Sequence, residues 1–340
     1  MIRIAVDAMG GDHAPREVVR GAVEANRLYP DCHIILVGDR EAVERELASA
    51  APSDRSRLEI HHASQIIGMD ESPVEGLRRK PDASIRVAAD LVKEGRADAL
   101  VSAGNTGAVV AAAMMRLGLL PGVRRPGIAV AFPTEKGGIC VMIDVGANIY
   151  CKPLHLLQYG LMAQVFAGEV LGLPNPSVGL LNIGEETGKG NDLVRRTFHL
   201  FERSPFHFQG NVEGRDVFKG TCDIVVCEGF VGNVVLKVAE GLSEVIFKVV
   251  RKNIGKNLRT KVGGWLCRPA FQAVRDSLDS SEYGGAPLLG VSGGVIIAHG
   301  STEAHGIRHA IRVGGEFAQH RVNDRIVTAL ANFHFARPVA

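Results

Sequence analysis

ADALVSAGNTGA, residues 97–108, runs from an unbroken apolar segment into a glycine turn, and Asn105-Thr106 then opens a run of small apolar residues. A strand that stays apolar at every position is buried on both faces, the condition of a parallel sheet held between two helical layers. Gly turns the chain, and Asn accepts from the first free N–H groups of the helix that follows. The same punctuation recurs in RIAVDA (3–8), HIILVG (33–38), GIAVAF (127–132), CVMIDVG (140–146), SVGLLNIG (177–184) and DIVVCEG (223–229). These segments predict an α/β fold, three layers deep in the order α/β/α, with a mostly parallel sheet and ligands at the carboxyl ends of its strands.

Composition sets the outer bounds. With 46% hydrophobic and 22% charged residues in 340, the chain has ordinary globular composition and length for a large core. Its 39 Lys+Arg against 37 Asp+Glu leave a net +2, and 5% aromatic content comes with no recognised nucleic-acid motif, so no nucleic-acid partner is expected. Six cysteines form no CxxC pair, which fits free thiols in a reducing cytoplasm. The amino terminus has no secretory pattern, and the best apolar run, GAVVAAAMM, stops at Arg116, too short to span a bilayer. No linker or repeat interrupts the pattern, so one domain is expected over 1–340.

One segment breaks the alternation. Leu242, Val245, Ile246, Val249, Val250, Ile254 and Leu258 recur at helical spacing, and Phe271, Val274 and Leu278 follow a Gly263-Gly264 break and Pro269. This predicts a helical hairpin over 242–280 with KVGGWLCRPAF (261–271) at its tip. Between Val245 and Arg275 stand eight Lys/Arg and no Asp/Glu, so the chain's basic character is concentrated there.

The strand-to-helix turns DAMGGD (7–12), SAGNTGA (102–108), DVGAN (144–148), NIGEETGKGND (182–192) and EGFVGN (228–233) join Gly to Asp, Asn, Thr or Lys. Such turns present free N–H groups to a phosphate or an oxyanion, or simply cap helices; the sequence leaves both readings open. Familiar signatures fail. GEETGKGN is one residue short of a P-loop and lacks its Ser/Thr, and no GxGxxG follows a strand. GVSGG (290–294) matches a GxSxG elbow and would suit a thioesterase, but a strand pattern follows Ser292 where an elbow needs a helix. His305 and His309, one turn apart, lack the further ligands of a metal site, and neither metal nor cofactor is expected.

Taken in order, DAMGGDHAP, SAGNTGA, DVGAN, LNIGEETGKG, EGFVGNVVLK, YGGAPLLG and HGS resemble the bacterial phosphate acyltransferases of phospholipid synthesis, nearly end to end. The resemblance implies a fold like phosphotransacetylase and isopropylmalate dehydrogenase. It also implies a homodimer that moves a fatty acyl chain from acyl carrier protein to inorganic phosphate. The acyl phosphate would pass to a membrane glycerol-3-phosphate acyltransferase. Phosphate attack on a thioester needs no Ser-His-Asp triad, only an oriented anion and donors for the developing oxyanion. Lys189, Asn233 and Asn105 are the expected catalytic residues, with Gly10, Gly11, Thr106, Asn148, Ser84 and Lys80 binding phosphate or substrate. Asp7, Asp12, Asp144 and Glu228 would orient those donors, because a carboxylate touching phosphate repels it. At the hairpin tip, Val262, Trp265, Leu266 and Phe271 are expected to rest on the inner membrane surface; docking of the acidic acyl carrier protein on the same cations is the other reading.

Overall fold

The computed structural model describes residues 1–51, 55–278 and 284–333. Asp279 and Ser280 of the expected hairpin, Tyr283 of YGGAPLLG and residues 334–340 of the expected domain lie outside them. In chain order the strands are β1 (Ile2–Asp7), β2 (Cys32–Gly38), β3 (Leu58–His62), β4 (Ala99–Ser102), β5 (Gly127–Pro133), β6 (Ile139–Ile143), β7 (Ser177–Leu181), β8 (His207–Val212), β9 (Ile224–Val226), β10 (Ala286–Leu289) and β11 (Gly294–Ile297). Between them run α1 (Arg16–Leu28), α2 (Arg40–Leu47), α3 (Pro73–Arg79), α4 (Ser84–Lys93), α5 (Thr106–Ala112), α6 (Pro153–Glu169), α7 (Asp192–Glu202) and α8 (Gly214–Lys219). The helices α9 (Gly229–Ile254), α10 (Leu258–Leu266) and α11 (Arg268–Leu278) precede β10, and α12 (Ala304–Gln319) and α13 (Val322–Asn332) follow β11.

All eleven strands join one sheet in the order β3-β2-β1-β4-β11-β10-β5-β6-β9-β7-β8. Every neighbour pair is parallel except β11–β10, β10–β5 and β5–β6. The sheet therefore has two parallel wings of opposite direction, joined through β10 and β5. Successive strand residues feed opposite cores: Ile4, Val6, Val141 and Ile143 pack on one face, and Ala5, Cys140 and Met142 on the other. This alternation between two dry faces is the three-layer α/β/α arrangement. Edge strands β3 and β8 escape the sequence reading because they are half polar: no position of β3 is fully buried, and only the last two of β8 are.

The hairpin differs in detail from its expectation. Its first helix begins at Gly229, and at 26 residues it is about 39 Å long. The Gly263-Gly264 pair lies inside α10 and breaks nothing; α9 ends at Gly255 and α10 at Cys267. Asn257 stabilises the start of α10, its side chain accepting from Thr260 N at 3.0 Å. Leu258, Val262, Trp265 and Leu266 then fall at i, i+4, i+7 and i+8 on one face, each more than half exposed.

Candidate active site

The carboxyl ends of β4 and β11 are neighbours, with Ser102 opposite Ile297. This brings Thr106, at the start of α5, alongside the His299-Gly300-Ser301 turn. From the other wing, the 145–148 loop after β6 meets the first turns of α9. Asn233 stands over Gly146, where a Cβ would touch its side chain at 3.7 Å. Between the wings lies a cavity of about 620 Å³. Polar groups line it at Thr106, Asn233, Lys237, His299 and Ser301 and continue along α9 at Glu240, Ser243 and Glu244; the apolar lining is Ile128, Val130 and Phe132 of β5 and Leu236 and Phe247 of α9. Positions 233, 236, 237, 240, 243, 244 and 247 all line it, one face of a single helix.

Two buried carboxylates build the frame. Asp144 is fully buried, and its Oδ1 accepts from the N–H groups of Ile128 (3.0 Å), Gly146 (3.2 Å) and Ala147 (2.9 Å). Its Oδ2 accepts from Asn148 N at 2.8 Å and Asn148 Nδ2 at 3.1 Å. Burial pushes this carboxyl up from its ordinary value, against donors that pull it down. Asp7, buried at the end of β1, accepts from Ser102 Oγ at 2.8 Å, Met9 N at 3.3 Å and the Ser84 hydroxyl, and burial raises it too. Close backbone approach locks the loops together: a Cβ on Gly232 would lie 1.9 Å from Asp144 O, and one on Gly10 would lie 2.8 Å from Gly104 N.

The expected site residues separate into two groups. Asn233 and Thr106 line the cavity, and the Asn233 side chain makes no hydrogen bond among the described residues. The others are held in the scaffold. Asn105 Oδ1 caps α5 by accepting from Ala108 N at 3.1 Å, while its Nδ2 donates to Met69 O at 2.7 Å and Glu71 O at 3.2 Å. Its amide therefore has nothing left for an oxyanion. Asn148 Nδ2 is likewise taken, by Pro126 O, Asp144 Oδ2 and Tyr159 OH. Lys80 Nζ donates to Ile66 O at 2.7 Å and to Glu71 Oε2 at 2.6 Å, and it lowers the pKa of Glu71. Ser84 faces Asp7, and Gly10 and Gly11 pack the 7–12 turn against Gly104, Ala103 and Gly300. Asp12 joins that turn to the HGS turn, its N–H donating to Gly300 O at 2.8 Å.

Glu228 caps α9, with Oε2 accepting from Phe230 N at 2.7 Å and Oε1 from Val231 N at 3.1 Å, so these two amides are closed to another anion. Lys189 sits in the 182–190 loop with Nζ 3.7 Å from Glu186 Oε1, outside the cavity lining. β9 separates β7 from β6, which puts the β7 loop about 10 Å from the β6 loop.

Residue reading missed Lys237, His299 and Ser301. Lys237 Nζ lies 2.7 Å from Glu240 Oε2 and 3.4 Å from His299 Nε2, and His299 Nδ1 lies 2.8 Å from Ser301 Oγ. The available signals were the HGS string at a strand end and the i+4 spacing of Lys237 from Asn233. Ser292, the apparent elbow serine, donates to Leu119 O at 3.2 Å and leads into β11, so no nucleophile elbow exists there.

Known structures share this architecture. A phosphotransacetylase from Streptococcus pyogenes superposes with a TM-score of 0.62 at 17% identity, covering 94% of each chain. A branched-chain phosphotransacylase from Enterococcus faecalis gives 0.57 at 15%, covering 94% of this chain and 100% of its own. The fold is thus that of the phosphotransacetylase class. The sequence profile described as "Fatty acid synthesis protein" matches residues 2–325. A phosphate acyltransferase of Moorella thermoacetica is 50% identical over 97% of this chain and 95% of its own, and one of Nitratidesulfovibrio vulgaris is 49% identical over 96% and 94%. The chain belongs to the phosphate acyltransferase family.

Proposed function

We propose that this chain transfers a fatty acyl group from the thioester of acyl carrier protein to inorganic phosphate, forming acyl phosphate for phospholipid synthesis. The observation that carries the reading is the cavity between the wings, where an apolar wall of Ile128, Val130, Phe132 and Leu236 lies beside Thr106, Asn233, Lys237 and His299, in a member of this family. Each methylene moved from water to the apolar wall contributes about 0.8 kcal/mol to binding. The thioester carbonyl is placed beside Asn233.

There a phosphate oxygen attacks the carbonyl carbon, the carbonyl oxygen takes up the charge, and collapse breaks the C–S bond. The thiol, with an ordinary pKa of about 8.5, leaves as thiolate without an acid. Asn233, free and aimed into the cavity, is the oxyanion donor; Thr106, Lys237 and His299 hold phosphate. Lys189, outside the lining and 3.7 Å from Glu186, adds positive charge only at long range. Asp7, Asp144 and Glu228 act at one remove by fixing the loops that carry these groups. Incubation with acyl-acyl carrier protein, with and without phosphate, followed by hydroxylamine trapping, tests the reading. Phosphate-dependent hydroxamate is expected; free fatty acid released at the same rate without phosphate would refute it.

The product, an apolar chain on a charged phosphate, is amphiphilic and is used at the membrane. Among the described residues no helix is long and apolar enough to cross one, so contact falls to the α10 face and Phe271. Val262, Trp265, Leu266 and Phe271 enter the inner leaflet shallowly while neighbouring Lys and Arg meet anionic headgroups. The exposed α9 stripe of Val234, Val238, Leu242, Val245 and Val249 packs against a second copy in a homodimer. Vesicle flotation lost in Trp265→Ala/Leu266→Glu, with soluble activity intact, is the expected result; unchanged flotation removes the tip from the membrane. Transfer of acyl phosphate to the membrane glycerol-3-phosphate acyltransferase would follow at that surface.

A further inference from the structure

The cavity that holds phosphate in this reading is rich in carboxylates. Among the described residues that line it, Glu240, Glu244 and Glu303 stand with one ammonium, Lys237, and two histidines, His299 and His305. A lining of that kind repels a fully ionised anion. Glu244 is answered from outside the cavity, by Lys248 Nζ at 2.9 Å. Glu240 is not: its Oε2 lies 2.7 Å from Nζ of Lys237, the same ammonium that stands 3.4 Å from His299 Nε2. Its Oε1 accepts no hydrogen bond among the described residues.

Asn233, Lys237 and Glu240 fall at i, i+4 and i+7 of α9 and share one face. An ammonium holds its acceptors on separate N–H bonds, each about 2.8 Å away, which sets two of them about 4.6 Å apart. With Glu240 Oε2 as one acceptor of Lys237 and a phosphate oxygen as another, a second oxygen of that phosphate comes within reach of the Glu240 carboxylate. Sulfate and the phosphate dianion have the same charge and the same tetrahedral shape, so neither Lys237 nor His299 separates them. They differ in one proton. Inorganic phosphate keeps at least one P–O–H near neutral pH, and sulfate keeps none. A carboxylate accepts from P–O–H but meets only lone pairs on sulfate, and a polar group left unpaired in this way rejects the ligand.

We propose that Glu240 selects the acyl acceptor: its carboxylate accepts from the proton-bearing oxygen of inorganic phosphate, so the site takes phosphate and turns sulfate away. This rests on the reading of the cavity as the phosphate site. The same bond orients the nucleophile. With P–O–H held on Glu240 and one bare oxygen on Lys237 and His299, another bare oxygen of the dianion is left to attack the thioester carbon. The C–O bond forms, the C–S bond breaks, and the proton stays on the phosphoryl group throughout.

The test compares KM for phosphate with the inhibition constant of sulfate, in hydroxamate formation from acyl-acyl carrier protein at an ionic strength held constant with chloride. A hydrogen bond to a charged group changes affinity by about 10- to 100-fold, and sulfate should bind the wild-type protein more weakly than phosphate by that factor. Glu240 keeps 32% of its side chain exposed, so Glu240→Gln is accommodated without repacking. The amide of that variant can donate to either anion. Phosphate should weaken, sulfate should tighten, and the ratio of the two constants should fall by about 10- to 100-fold. Calorimetric titration with each anion gives the same ratio if the variant turns over too slowly to assay. A wild-type protein inhibited by sulfate at its KM for phosphate overturns the selection. A ratio that keeps its wild-type value in Glu240→Gln, even with both constants shifted, leaves Glu240 as a support for Lys237 alone and overturns its role. A wild-type protein that forms no phosphate-dependent hydroxamate overturns the activity itself, a result distinct from both.

Discussion

Gly232→Ala tests how tightly the site depends on contact between α9 and the loop after β6. An added Cβ would lie 1.9 Å from Asp144 O and 2.9 Å from Cys227 Sγ. Ordinary contact begins near 3.4 Å, so the first turn of α9 must retreat by about 1.5 Å. Retreat breaks the 2.8 Å bond from Gly229 N to Asn148 O, a loss of about 1 kcal/mol, and the overpacking adds about 1–3 kcal/mol. The expected destabilisation is about 2–4 kcal/mol, read as a lower urea midpoint by circular dichroism. The same shift carries Asn233 away from Gly146 by more than an ångström, and misplacement of that size lowers turnover about 100-fold. The variant should therefore lose hydroxamate formation under conditions where it is still fully folded. A Gly232→Ala protein with the wild-type midpoint and wild-type turnover would show that neither the contact nor the position of Asn233 matters.

Asn233→Ala removes the oxyanion donor and should lower kcat by about 10²–10³-fold with the urea midpoint unchanged; Lys189→Ala, outside the cavity lining, should change kcat and KM for phosphate far less. Asp144→Asn turns an acceptor towards two Asn148 donors into a donor, and stability should fall by about 2–5 kcal/mol in urea titration. Burial raises the Asp7 carboxyl above its ordinary 3.8, so the folded state binds that proton more tightly than the unfolded chain. Its contribution to stability is thus fully present below 3.8 and is lost as pH rises through the folded value. The stability difference between wild type and Asp7→Asn, followed against pH, should show that downward slope for the wild type. In α10, Gly263→Ala meets open space and should stabilise the tip by about 0.5–1 kcal/mol, whereas Gly264→Ala meets Ile254 Cγ2 at 2.4 Å and should destabilise it, seen in thermal melts.

The layers were legible because the seven strands read from the sequence, β1, β2, β4, β5, β6, β7 and β9, lie inside the sheet and are mostly apolar on both faces. Strands β3 and β8 were not, since edge strands such as LEIHH and HFQGNV carry polar residues towards solvent. The start of α9 was misplaced for a related reason. Gly229 and Gly232 read as turn residues, yet both are needed to let the helix press against the 144–148 loop. Gly263-Gly264 misled in the same way: glycine pairs suggest a break, while Asn257 and Thr260 had already started a helix across them.

The site was harder to read because residue type does not say which lone pairs are already taken. Asn105, Asn148 and Asn233 look alike in sequence, each within two residues of a glycine at a strand-to-helix junction. The first two have their amides fully engaged in capping and tethering, and only Asn233, one turn inside α9, reaches the cavity. Its companions come from places no local pattern connects. Thr106 and His299 arrive from the carboxyl ends of one wing, Asn233 and Gly146 from the other, and the antiparallel strands β10 and β5 set the gap between them. The polar lining of the cavity is therefore a product of sheet topology, while Asp7, Asp144 and Glu228, which sequence reading assigned to orienting the donors, hold the loops that topology brings together.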